Sequence, residues 1–113
     1  MHVETVRTDG ITIVSIDGEI DGRTAPQLEG GLASWPSRDR VLLDLSGVSY
    51  LSSAGLRALL LIHRRVAGED GRLVLVGVVP AVVDTMKVTG FLRYFVLLET
   101  RGDALATLLE EVG

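Results

Sequence analysis

Two adjacent serines, Ser52 and Ser53, are where side-chain chemistry is most easily placed in this chain. They stand between an apolar run, Val41-Leu42-Leu43-Asp44-Leu45, and a stretch in which Leu56, Leu59, Leu60 and Val66 recur at helical spacing. That position is a helix start, where backbone N–H groups lack partners and the positive end of the peptide dipole favours an anion. Two roles fit a serine there. One is structural, a hydroxyl capping the helix, worth about 1 kcal/mol. The other is a phosphorylation switch, in which a phosphate near −2 is partly neutralised by the helix terminus, so the fold stands and the effect falls on whatever packs against this surface.

Other catalytic arrangements find little support. The two histidines are His2, beside the N-terminus, and His63. At 100° per residue His63 shares the apolar arc with Leu56, Leu59 and Val66, which reads as a histidine filling the edge of the core. A Ser53–His63 pair would be about 15 Å apart along one helix, too far for proton transfer. There is no Gly-x-Ser-x-Gly elbow, no Gly-rich loop ending in Lys-Ser/Thr and no Gly-x-Gly-x-x-Gly after a strand. Asp17, Glu19 and Asp21 have some calcium-loop spacing, but no glutamate follows at the twelfth position, so a solvated turn is expected and no metal. Asp44, a lone carboxylate in an apolar strand, is expected to be held by backbone donors of a nearby loop and to support the loop presenting Ser53. Leu61 projects among Arg57, Arg64 and Arg65 on the polar side of the helix, which makes it a contact candidate.

The elements that must position these residues follow from periodicity. Val3 to Thr8 and Ile11 to Ile16 alternate around Asp9-Gly10, the pattern of a hairpin. Residues 17–22 read as a turn. Thr24 is placed to cap a helix through Leu32 or Ala33 that Trp35-Pro36 ends, with a charged connection from Ser37 to Arg40. The Val41–Leu45 run is apolar on both faces, as a strand covered on two sides would be. The Ser52-Ser53 helix runs to about Ala67 and stops at Gly68. A second buried strand, Leu73 to Val76, precedes a helix from Pro80 to about Val88, broken by Thr89-Gly90. Phe95 to Leu98 reads as a last strand, and Asp103 to Val112 as an amphipathic helix with Leu105, Leu108 and Leu109 on one side. The order β-β-α-β-α-β-α-β-α predicts an α/β fold with a mixed, mostly parallel sheet in one domain, 1–113.

Composition narrows the class. The chain has 113 residues, enough to bury one core without staples. No cysteine removes disulfides and thiol chemistry together. A net charge of −4 argues against a nucleic-acid surface. The longest apolar run, Leu73 to Val83, is interrupted by Gly77 and Pro80 and is shorter than the roughly 20 residues of a membrane span. The start of the chain is polar and alternating, unlike a signal peptide, so a cytoplasmic location is expected.

Taken in order, these pieces resemble the STAS domain in its single-domain form as an anti-sigma factor antagonist. Gly18-Glu19-Ile20-Asp21 resembles the family's Gly-Glu-Leu-Asp turn, and Val41 to Val48 its central strand and following loop. Ser53-Ala54-Gly55-Leu56 is similar to the Ser-Ser/Thr-Gly-Leu that opens the switch helix. Pro80-Ala81-Val82 and Thr89-Gly90-Phe91 resemble the later helix and its ending. The resemblance implies a non-catalytic module without cofactors. It implies binding to an anti-sigma factor that is also an ATP-dependent serine kinase, phosphorylation of Ser53 that ends the interaction, and a phosphatase that resets it. Asp21, Ser52, Ser53, Ala54, Gly55, Arg57 and Leu61 are the implied partner-binding residues, with Asp44 in structural support. Two departures stand out: Ser52 where the family often has Asp, which removes a charge beside the acceptor, and Ala54 where Ser or Thr is common. Ser52 is the alternative acceptor. Because some STAS modules are never phosphorylated, a constitutive scaffold or a transporter-associated module is the alternative function.

Overall fold

The computed structural model describes residues 1–31 and 40–110. The elements are β1 (His2–Thr8), β2 (Ile11–Ile20), α1 (Ala25–Gly31), β3 (Arg40–Leu51), α2 (Ser53–Gly68), β4 (Arg72–Val76), α3 (Pro80–Thr89), a 3-10 turn (Leu92–Tyr94), β5 (Leu97–Leu98) and α4 (Arg101–Glu110). The expected end of the first helix, its Trp35-Pro36 stop and the connection over 37–39 lie outside the described residues, as does Val112.

The five strands form one sheet in the order β1-β2-β3-β4-β5, with β1 antiparallel to β2 and the remaining pairs parallel. Asp9 (φ 51°) and Gly10 (φ 76°) both take positive φ, as the tight turn matching the twist of two strands requires. Thr8 accordingly lies opposite Ile11.

Parallel pairing buries both faces of the central strands. Val41, Leu43 and Leu45 of β3 join Val14, Ile16, Leu56, Leu59, Ile62, Val82 and Met86 on the side covered by α1, α2 and α3. Leu42, Val74 and Val76 face the other way and pack with Ala104 and Leu108 of α4. Alternate residues of β3 therefore serve two cores, which explains the unbroken apolar run.

Four expectations are corrected. Residues 17–20 are not a turn, because β2 continues beside β3 to Ile20, with register shifts at Ser15/Asp17 and Gly18/Glu19 that absorb the irregular sequence. Similarly, β3 runs on through Ser46–Leu51. The last strand is only Leu97–Leu98, because residues 92–94 close into a 3-10 turn. The last helix starts two residues earlier than expected, at Arg101, where Thr100 Oγ1 accepts the Asp103 N–H at 3.1 Å. Its buried stripe is Ala104 and Leu108, with Leu105 half-buried and Leu109 exposed.

Candidate functional site

The site begins where β3 hands over to α2. Ser52 keeps extended backbone angles (φ −82°, ψ 173°), so it is the N-cap, and its Oγ accepts the Gly55 N–H at 3.2 Å. Its carbonyl accepts the Leu56 N–H at 2.8 Å, the first bond of the helix. Its own N–H donates to the Ile20 carbonyl at 3.0 Å, which ties the helix start to the end of β2. All three polar groups of Ser52 are thereby engaged. Ser53 is the first helical residue, is exposed, and its hydroxyl has no hydrogen-bond partner among the described residues.

Gly55 explains how the two elements come so close. A Cβ there would lie 2.3 Å from the Ile20 carbonyl oxygen and 2.8 Å from Leu51 Cδ1. The residue is buried, and the missing side chain lets α2 seat on β2. Ala54, half-buried, faces the 21–22 loop, since a Cβ on Gly22 would stand 3.8 Å from the Ala54 methyl.

That loop is closed by reciprocal bonds. The Asp21 N–H donates to Thr24 Oγ1 at 2.9 Å, and Asp21 Oδ1 accepts the N–H groups of Thr24 at 3.1 Å and Arg23 at 2.9 Å. The Thr24 hydroxyl also donates to the Glu19 carbonyl at 2.8 Å. The backbone donors of Thr24, then Arg23, hold the Asp21 carboxyl below its usual pKa. Asp21 thus sits at the same end of the sheet as Ser53, with its charge fixed by its own loop.

Along α2, Ser53, Arg57, Leu61 and Arg64 are exposed and fall within one narrow arc at 100° per residue. Leu61 is 42% exposed. His63 lies on the half-buried side against the rings of Phe95 and Tyr94, at centroid distances of 5.7 and 6.4 Å. No acidic residue occupies the first turn of α2.

Asp44 belongs to another place. Its neighbours on β3 put it with Leu42 on the α4 face, opposite α2. Oδ1 accepts the Ser46 N–H at 3.0 Å and the Ser46 hydroxyl at 2.6 Å, and Oδ2 receives Arg101 Nε at 2.7 Å. Arg101 also donates to Ser15 Oγ at 2.6 Å. Burial raises the Asp44 pKa, but the Ser46 donors and the Arg101 guanidinium outweigh it and hold the carboxylate below its ordinary range. A backbone donor does hold Asp44, as its chemistry demands, but that donor is two residues along its own strand. The junction before Ser53 is held instead by the bond from the Ser52 N–H to the Ile20 carbonyl. Nothing in the local sequence around Arg101 marks it for this role. The available signal was the solitary carboxylate itself, which demands a cation once buried. A polar cleft of about 250 Å³ lined by Glu4, Ser15, Asp17, Asp44, Ser46 and Arg101 surrounds this pair.

Comparison with known proteins places this geometry. The STAS domain profile matches residues 2–104. The chain is 36% identical over 108 residues to BtrV of Bordetella bronchiseptica, a candidate anti-sigma factor antagonist, covering 94% of this chain and 93% of that one. An anti-sigma factor antagonist from Mycobacterium paratuberculosis superposes with a TM-score of 0.83 at 32% identity, covering 96% of this chain and 93% of the other. The anti-sigma factor antagonist SpoIIAA in its unphosphorylated form superposes with a TM-score of 0.79 at 16% identity, over 99% of this chain and 100% of that one, a likeness of fold alone. No described helix is long and apolar enough to cross a membrane.

Proposed function

The chain belongs to the STAS domain family, and from that premise we propose that it is an anti-sigma factor antagonist switched off by phosphorylation of Ser53. The observation that carries this reading is the contrast between two neighbouring hydroxyls. Ser52 is committed to capping α2, whereas Ser53 stands exposed and without a partner among the described residues. Two relatives above 30% identity that match it almost end to end, one an anti-sigma factor antagonist and the other a candidate for that role, support the assignment of class.

In this reading residues 1–113 act as one STAS unit in the cytoplasm, binding an anti-sigma factor and so freeing the sigma factor it holds. The docking surface runs from Asp21 past Ser52, Ser53 and Ala54 to Arg57 and Leu61. The anti-sigma factor doubles as the kinase. The Ser53 oxygen attacks the γ-phosphorus of ATP, the bond to ADP breaks, and the hydroxyl proton passes to a base of the kinase. This chain supplies only the acceptor and performs no catalysis. A phosphatase restores the hydroxyl. The added charge of about −1.5 to −2 lies at the positive end of α2, so the fold tolerates it while a close-packed partner does not.

The test is affinity for the cognate anti-sigma factor, measured by calorimetry. Ser53→Ala binds like the unmodified protein, and Ser53→Asp binds at least about tenfold more weakly, or roughly 1.4 kcal/mol. Both variants melt with the parent. Equal binding by the two variants would overturn the switch and favour a constitutive scaffold.

A further inference from the structure

Arg57 is exposed and makes no hydrogen bond or ion pair with any described residue, whereas Arg65 is paired with Glu69 at 3.3 Å and Arg101 with Asp44. It follows Ser53 by one helical turn. Helical side chains lean towards the N-terminus, so the residue at i+4 lies over residue i, with Cβ atoms about 5–6 Å apart. The arginine stem easily spans the remaining gap. No acidic residue lies in the first turn of α2, Asp21 is bound into its own loop by Thr24 and Arg23, and no acidic group among the described residues pairs with the guanidinium.

We infer that Arg57 is an intrachain clamp for a phosphoryl group on Ser53, an inference that rests on the reading of Ser53 as the modified residue. Once the phosphate is attached, the guanidinium folds back along the helix and pairs with two of its oxygens, the geometry for which arginine is better suited than lysine. Modification then changes the docking surface twice: it adds an anion and withdraws a cation that the anti-sigma factor would otherwise meet. The clamp also distinguishes the two serines. Four residues after Ser52 comes Leu56, buried in the core, so a phosphate on Ser52 has no equivalent partner.

The test installs phosphoserine at position 53 by genetic-code expansion, independent of any kinase, in the parent, Arg57→Gln and Arg64→Gln proteins. The second ionisation of the phosphate is then followed by phosphorus NMR. Its midpoint in the parent lies below that in Arg57→Gln by about half a pH unit, because the guanidinium favours the dianion, and Arg64→Gln matches the parent. Coincident midpoints for the parent and Arg57→Gln would overturn the clamp. The switch itself is judged separately on the same material. If phosphorylated parent binds the anti-sigma factor as tightly as unmodified protein, the regulatory reading of Ser53 fails, while the titration still decides the role of Arg57.

Discussion

The first turns of α2 and α4 flank the sheet from opposite faces and use the same ingredients: serine hydroxyls, an aspartate and an arginine. At α4 the ingredients are spent on each other. Asp44 takes Ser46 and Arg101, and Arg101 takes Ser15, so every member of the group is bound. At α2 they are held apart. Asp21 is bound into its own loop, Ser52 caps the helix, and Ser53 and Arg57 are left exposed one turn from each other. A polar cluster closed on itself fixes an element in place, whereas one left open is available to something that arrives later. The difference separates a structural tie from the surface proposed for regulation more sharply than residue type does.

The comparison breaks first if α2 can be moved without cost. Gly55→Ala forces a methyl group against the Ile20 carbonyl and Leu51, so α2 must shift outward. A loss of about 2–3 kcal/mol in denaturant unfolding is expected. Partner binding should fall with it, since the first turn is displaced. An unchanged midpoint would mean that α2 is not seated on the end of β2.

Next comes the tie at α4. Asp44 retains 13% of its side-chain exposure and Arg101 47%, so the pair is protected on one side only. Arg101→Leu leaves the carboxylate with Ser46 alone and should cost about 1–2 kcal/mol at neutral pH, less than a fully buried pair would. The pH dependence has a definite sign. The folded-state pKa of Asp44 lies below the ordinary 3.8, so its contribution is present above that value and is lost as pH falls through the lowered one. The stability gap between the parent and Arg101→Leu should therefore close in acid. A gap that stays constant from neutral pH down to pH 2 would show that Asp44 is not the partner that matters.

How far the sequence foretold this arrangement depended on range. Asp9-Gly10 marked its turn because the constraint is local, two positive φ angles in succession. Ser52-Ser53 marked the start of α2 because a cap is read within four residues. Residues 17–20 misled because Asp and Gly favour turns, and only the ladder with β3, paired from a distant stretch of chain, holds them extended. Thr100 with Asp103 carries a start signal of the Ser/Thr-x-x-Asp/Glu type, masked by an apolar pattern that begins later. The Arg101–Asp44 bond joins residues 57 apart, and a contact that long leaves no periodic mark. Gly55 stands in a legible motif, but its reason, close approach to Ile20, is visible only when both strands are in place.

The finest test sets the two adjacent serines against each other. Ser52→Ala removes an oxygen that accepts the Gly55 N–H, so α2 loses its cap at a cost of about 1 kcal/mol, a fall of roughly 5 °C in melting temperature. Ser53→Ala removes a hydroxyl with no partner among the described residues, and should stay within about 0.5 kcal/mol of the parent. Phosphoryl transfer is predicted to show the reverse order. Ser52→Ala remains a substrate, slowed only as far as its helix start frays, whereas Ser53→Ala takes up no phosphate from ATP and the kinase when the product is mapped by mass spectrometry. A serine that matters to the fold and one that matters to regulation would then lie side by side, told apart by a single hydrogen bond. If Ser53→Ala proved the less stable of the two, its hydroxyl would be doing structural work in solution, and the open character of this end of the sheet would have to be given up.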